Sequence, residues 1–339
     1  MPDPFFSVII PVRDGGTGFE ACLDALQGSH FRDWEMIVVD DGSRDRSADL
    51  ARRRGAAVLH TPGERGPGAA RNLGARDARG TYLFFVDADC VVHPETLGTA
   101  AGVFRSEPQI DALFGSYDDA PAASNFIAQY KNLFHHYVHQ HADPEAATFW
   151  AGCGGVRTTA FHAVGGFDEE LFARPSIEDI ELGYRLRERG FRIRVAKGVR
   201  VKHLKAWTFE SLLRSDILDR GIPWTELMLE RGALDDDLNV RWRERLSVVA
   251  AYLLVACLAA ASWRAVFLVP AGVLALGLLV VNQRLYRFFA SLRGTGFALR
   301  AIPLHWLYYL YCAVAFGWGA LRHGRSRWSG RRRALVGRS

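Results

Sequence analysis

The sequence predicts an α/β domain with a mostly parallel central sheet, followed by a helical region embedded in a membrane. Three observations carry this. From residue 5 to about residue 90, short continuous apolar segments alternate with segments of helical spacing, the pattern of a parallel sheet covered on both faces. Acidic residues fall where the apolar segments end, at Asp14, Asp40, Asp41, Asp87 and Asp89. From about residue 246 the composition changes to long apolar runs bordered by arginine.

The elements follow in order. "FFSVIIPV" is a first strand; no basic stretch precedes a long apolar core, so the N-terminus is not expected to be a signal peptide. "GFEACLDALQGS" places Phe19, Cys22, Leu23 and Leu26 at helical spacing. "WEMIVVDDGS" is a second strand, and "SRDRSADLARRRG" a helix capped by Ser43 or Asp45. "AAVLH" is a third strand, "GAARNLGARDARG" a helix, and "LFFVDADCVV" a strand that ends in two carboxylates. Further on, "IEDIELGYRL" (177–186) is a helix with Glu178 and Asp179 just before its first turn, where the helix dipole favours anions. The strand "FRIRVAKG" then leads to His203 in "VRVKHLKAWT". In "TFESLLRSDILDRGIPWTELMLE" (208–230), Phe209, Leu212, Leu213, Ile217, Leu218 and Ile222 recur at helical spacing, with a break expected at Pro223.

Three apolar runs remain, 246–263, 265–281 and 301–321, the last rich in Trp and Tyr. A span needs about 20 apolar residues, and the first two suffice as a hairpin. Residues 241–339 hold 15 Arg, no Lys and one acid, Glu244, a balance of +14 against −9 for residues 1–240. The basic excess around apolar runs favours a membrane, with the Arg-rich stretch 282–300 on the side of the N-terminal domain. The basic tail 322–339 then leaves open whether 301–321 crosses or lies at the interface. The acidic first part excludes a nucleic-acid binder. Five scattered cysteines without metal spacing indicate reduced thiols and a cytosolic face.

Alternation along a strand sends Asp87 and Asp89 to the same side, where like charges repel. A divalent cation resolves this: hard oxygen ligands suit Mg²⁺ or Mn²⁺, which such sites share with substrate phosphates. A phosphatase-type DxDx[TV] pattern also fits, with Val91 in its last slot, but it belongs on a first strand and leaves "VVDDGS" unexplained. Neither a dinucleotide GxGxxG nor a phosphate-binding GxxxxGK[ST] is present.

Taken together, "SVIIPVRD", "VVDDGS", "GPGAARNLG", "LFFVDADC" and "VGGFDEELFARPSIEDIELGYRLRERGFRI" resemble, in order and spacing, the family 2 inverting glycosyltransferases of GT-A fold, over about residues 5–205. The resemblance implies a catalytic domain over 1–207; the apolar and basic patterning beyond it gives interfacial helices over 208–245, membrane or interfacial helices over 246–321 and a basic tail over 322–339. It implies that Pro11, Arg13 and Asp14 line the base pocket, that Asp40 or Asp41 contacts the base or ribose, and that Arg71 reaches the nucleotide. Asp87 would meet the ribose or the metal, and Asp89 and His203 the metal, Mn²⁺ or Mg²⁺. Asp179 would be the base for inversion, with Glu178 holding sugar or acceptor hydroxyls. Where the family often has an aromatic and then Asn, this chain has Arg13 and Asp14.

The expected activity is transfer of one sugar from a nucleotide donor, a UDP-sugar favoured and a GDP-sugar as the alternative. The acceptor would be a lipid or lipid-linked molecule at the cytosolic face of the inner membrane. A processive polysaccharide synthase, a metal-dependent phosphohydrolase and a non-catalytic membrane scaffold are the alternatives; "DRGIPW" lacks the QxxRW spacing of processive synthases.

Overall fold

The computed structural model describes residues 3–172, 174–232 and 242–336, with backbone alone over 326–336. Most of the expected basic tail and residues 233–241 of the 208–245 segment lie outside the residues with described side chains. The chain divides into two compact units, residues 1–208 and 209–339.

The first unit is an α/β domain. Its strands are β1 (Phe6–Val12), β2 (Trp34–Asp40), β3 (Ala57–His60), β4 (Tyr82–Val86), β5 (Cys90–Val92), β6 (Ala112–Tyr117), β7 (Glu145–Ala146), β8 (Cys153–Arg157) and β9 (Ile193–His203). The helices between them are α1 (Gly16–Gln27), α2 (Ser47–Arg53), α3 (Pro67–Asp77), α4 (Thr96–Ser106), α5 (Phe126–Gln140), α6 (Thr158–Ala163) and α7 (Glu178–Glu188). The strands form one sheet in the order β3-β2-β1-β4-β8-β6-β9-β5, with β7 on β9.

The half β3-β2-β1-β4 is parallel, as the continuous apolar strands predict. The other half is mixed: β8 runs antiparallel to both β4 and β6, while β6 and β9 are parallel. The expected helix face of α1 is the buried one, with Phe19, Cys22, Leu23 and Leu26 all enclosed. Asp45, rather than Ser43, serves the start of α2, its carboxylate accepting from the Ser47 N–H at 2.9 Å.

Parallel strands bring their carboxyl ends to one edge, where side chains can converge. The antiparallel register of β5 on β9 pairs Cys90 with His203, so a histidine far along the chain arrives beside Asp89. Helix α7 reaches the same region by close packing. A side chain at Gly183 would put its Cβ 2.3 Å from the Phe149 nitrogen, so only glycine lets the helix lie against that segment.

The second unit is helical. It begins with α8 (Phe209–Arg214), a π-helical turn (Ser215–Gly221) and α9 (Ile222–Arg231). Pro223 does not break the segment as expected; it stands in the first turn of α9, where its missing N–H costs nothing, directly after the widened turn. Four further helices follow: α10 (Trp242–Ala261), α11 (Leu268–Val281), α12 (Gln283–Arg293) and α13 (Thr295–Val336).

Among the described residues, α10 is the one helix long and apolar enough to cross a membrane. The apolar segment 265–281 joins it only if taken with α12, from which it bends by 63°. The run at 301–321 lies within α13 and falls short of the same measure. The bend after α11 is fastened by polar groups: the buried Tyr309 hydroxyl lies 2.8 Å from Glu244 Oε2 and 2.9 Å from Asn282 Oδ1.

Candidate active site

Three sets of acidic residues meet the carboxyl edge of the sheet. The first surrounds the ends of β1 and β2. Asp14 adopts a left-handed backbone, φ 50°, and its Oδ1 accepts from the Arg44 N–H at 2.6 Å and the Asp45 N–H at 3.3 Å. Arg13 forms an ion pair with Glu64, and Pro11 sits in β1 opposite Val39.

Asp40 and Asp41 are both buried but differ in what they hold. Asp41 is fully engaged in shaping the loop before α3: it accepts from Thr61 Oγ1 at 2.7 Å and from the N–H groups of Arg65 and Gly66, each at 2.8 Å. Asp40 accepts from the Ser43 N–H at 2.9 Å and stands 3.2 Å from His60 Nδ1.

The second set is a buried bridge. Helix α3 presents Gly68, Ala69, Ala70, Gly74 and Ala75 to the protein, small residues that let it pack close, and Arg71 lies on this buried face. Its guanidinium donates to Asp87 at 2.6 Å through Nη2 and to Glu178 at 3.1 Å through Nη1. A second Glu178 oxygen accepts from the Ser176 N–H at 2.9 Å. Arg71 thus ties the end of β4 to the start of α7, and its two forward donors are taken by protein carboxylates.

Asp179, the next residue, is half-buried. Its Oδ2 accepts from the Ala151 N–H at 3.2 Å and its Oδ1 from the Ile180 N–H at 2.9 Å. Both Glu178 and Asp179 lie inside the first turn of α7 rather than before it.

The third set is Asp89 with His203. Their Oδ2 and Nε2 are 3.3 Å apart, Asp89 being half-exposed and His203 buried. Behind the ring, His203 Nδ1 lies 2.8 Å from Asn132 Oδ1, and Tyr117 stacks on it with centroids 4.2 Å apart and planes within 7°. Close by, the Lys205 ammonium sits 4.1 Å from the centre of the Trp207 ring. Lys202 instead pairs with Asp118 at 3.2 Å.

Asp87 faces Arg71 and Asp89 faces His203. Burial pushes the Asp87 carboxyl above its ordinary range, further raised by Asp89 and Glu178 and opposed by Arg71. Burial also pushes the Asp89 carboxyl up, but His203 and then Lys205 outweigh it and hold that carboxyl below its ordinary range. Among the described residues no three His, Cys, Asp or Glu side chains form a ready-made metal site.

The expected trio of Asp87, Asp89 and His203 is thus represented by one pair, with Asp87 turned to Arg71. That pair, one hard oxygen and one imidazole nitrogen, suits Mn²⁺ or Mg²⁺ completed by phosphate oxygens. Sequence inspection missed Asn132 and the Ala151 N–H. Asn132 left one usable trace, an amide on the otherwise apolar and aromatic face of α5.

A family model described as Glycosyl transferase family 2 matches residues 7–165. The pre-mycofactocin glycosyltransferase of Mycobacterium tuberculosis is 28% identical over 211 residues, 58% of this chain and 42% of that protein. Glycosyltransferase AglE of Haloferax volcanii is 36% identical over 101 residues, 28% of this chain and 33% of its own. The chain thus spans less than half the length of these curated relatives. Among solved structures, the mannosyltransferase PcManGT of Pyrobaculum calidifontis, in complex with GDP-Man and Mn²⁺, has a TM-score of 0.56 at 17% identity, covering 94% of this chain and 89% of that one. That likeness is one of fold. Residues 7–165, a little under half of the chain, thus match the Glycosyl transferase family 2 model, and the chain shares its GT-A-like fold with that mannosyltransferase.

Proposed function

We propose that this protein moves one sugar, with inversion at its anomeric carbon, from a nucleoside-diphosphate sugar to a lipid or lipid-linked acceptor at a membrane surface. The observation that carries this is the Arg71 bridge. It unites the strand-end carboxylate of Asp87 with the start of α7, where Asp179 stands, in one polar network.

Inversion requires a base within hydrogen-bond reach of the acceptor hydroxyl, on the side away from the leaving diphosphate. Glu178 is buried and committed to Arg71 and the Ser176 N–H. Asp179 is the more open of the two, and is the base in this proposal. Glu178 acts through Arg71 rather than on sugar hydroxyls, and Arg71 acts by holding carboxylates rather than by reaching the nucleotide. Asp40, with Pro11, Arg13 and Asp14 around it, flanks the base and ribose; Asp41 shapes the loop beside them.

Asp89 and His203, with Asp87 adjacent, are the residues that would hold a divalent cation, which neutralises the leaving diphosphate when bound. The GDP-Man and Mn²⁺ of the archaeal neighbour support this donor class; a UDP-sugar remains the favoured donor and a GDP-sugar the alternative.

Membrane attachment, on the cytosolic side, rests on α10 and α11. Leu253, Leu258, Val269, Val273 and Leu276 are each half or more exposed there, far more apolar surface than a water-facing helix carries.

The direct test is a panel of nucleotide sugars scored for thermal stabilisation in the presence of Mn²⁺, because a ligand bound only by the native state raises the melting temperature. One donor class should stabilise the protein, and Asp89→Ala should abolish the effect. Asp179→Asn should keep donor stabilisation while transfer falls about 10²–10⁴-fold. Stabilisation by no nucleotide sugar would sink the proposal. Loss of donor binding in Asp179→Asn would remove that residue from the base role.

A further inference from the structure

We infer that Asn132 is a positioning residue for the cation site, fixing the His203 ring so that its Nε2 lone pair faces Asp89. The inference rests on the function proposed above and adds to it a residue of α5 outside every motif. The oxygen of a carboxamide can only accept, so the 2.8 Å bond to Asn132 Oδ1 places the imidazole proton on Nδ1. In the neutral ring, the form that ligates a cation, Nε2 is then an acceptor, and it stands 3.3 Å from a second acceptor, Asp89 Oδ2. Two acceptors at that separation repel unless positive charge lies between them. The pair is arranged to share such a charge, and Asn132 sets the arrangement.

The ring cannot easily turn to a different one. Tyr117 stacks flat on His203 at 4.2 Å, and His135 lies against the Tyr117 ring at 4.2 Å in turn. Packing does not account for Asn132 itself. It is 1% exposed on the buried face of α5, and its Nδ2 has no hydrogen-bond partner among the described residues. A leucine would fill that space without stranding a buried donor. What leucine cannot do is accept from Nδ1, the outer contact that orients a metal-binding imidazole.

The test is Mn²⁺ binding by the full-length protein, followed by electron paramagnetic resonance of the free ion, with Mn²⁺ alone and with added GDP or UDP. Asn132→Leu should weaken binding about 10–100-fold, the range for loss of such an outer contact. His203→Ala should weaken it too, and Asn132→Leu combined with His203→Ala should bind no worse than His203→Ala alone, because Asn132 acts only through that ring. Asn132→Asp, which keeps an acceptor, should retain binding.

Full-strength binding in Asn132→Leu, or additive losses in the double variant, would overturn the inference. So would lost binding in Asn132→Asp, an arm that decides the matter even if the leucine variant does not fold. Absence of Mn²⁺ binding in the unsubstituted protein would instead bring down the cation site as a whole, and this inference with it.

Discussion

The sheet of the first unit and the helices of the second use similar apolar residues and treat them in opposite ways. Val8, Ile9, Val38, Val39 and Phe84 are wholly buried in the sheet, whereas Leu253 and Leu258 of α10 and Val269 and Val273 of α11 stand 51–70% exposed. Polar groups are reversed as well. The first unit collects its acids at the carboxyl edge of the sheet, and Asp89 there is half-exposed. In the second unit, Glu244, the one acid of residues 241–339, is turned onto the buried Tyr309. The interior of the second unit is itself apolar, built on Ala251, Leu254, Ala271 and Leu278 around Tyr309. Its apolar residues therefore face both inward and outward, and the outward ones are what the membrane attachment proposed above would cover.

The sharpest way to break this contrast is to place the same charge in both regions. Val38→Lys would bury an unpaired ammonium in the centre of the sheet and should cost more than about 4 kcal/mol, enough to prevent folding. Leu253→Lys touches an exposed position of α10 and should change the unfolding free energy of the detergent-solubilised protein by less than about 0.5 kcal/mol. In a bilayer the same lysine costs about 2.5–3.5 kcal/mol near a helix centre, so it should reduce the fraction retained in carbonate-washed membranes. Unchanged retention would mean that the apolar face of α10 meets something other than lipid.

Arginines allow a second, smaller comparison. Arg71 is buried between Asp87 and Glu178, while Arg287 on α12 is exposed. Arg71→Ala leaves two carboxylates without their cation. The cost should be about 3 kcal/mol, the lower end for a broken buried pair, because Asp87 is one-third exposed and can be hydrated. Arg287→Ala should cost under about 0.5 kcal/mol. Urea titration measures both. Equal losses would show that the Arg71 bridge is not the joint between β4 and α7 described above.

How much of this could be read from the chain alone depended on whether the interaction was local. The α1 face and the strand ends were legible because each is set by spacing within a few residues. The reversal of β8 was not, since nothing in "CGGVR" records its direction. His203 met Asp89 only through the β5–β9 register, and a motif could suggest that meeting but not derive it. Arg71 was expected to reach the nucleotide, and nothing local told that Asp87 and Glu178 would be the groups to enclose it. The small residues around it were the missed sign, since a face made of Gly and Ala packs close and buries whatever else it carries. Asp40 and Asp41 could not be told apart in sequence; the loop before α3, folded over Asp41, separates them.

The smallest effect uses the scarcity of acids beyond residue 240 to assign pH dependence to the first unit. Glu35 joins two strand beginnings, accepting from Ser7 Oγ at 2.6 Å and from Arg79 through its backbone N–H at 2.8 Å and its Nε at 3.0 Å. Burial pushes the Glu35 carboxyl up, but the bonds from Ser7 and Arg79 outweigh it and hold it below its ordinary range. A carboxyl lowered by folding stabilises fully above its unfolded value of about 4.3, and that contribution fades as pH falls through the folded value. Glu35→Gln should therefore cost about 1 kcal/mol at pH 7, the scale of a partly exposed charged hydrogen-bond set. The difference from the unsubstituted protein should shrink as the pH is lowered into the acid range. Urea midpoints at several pH values test this; a difference that stayed constant from pH 7 to the acid limb would mean that the charge of Glu35 contributes nothing and that its shape alone holds the strands in register.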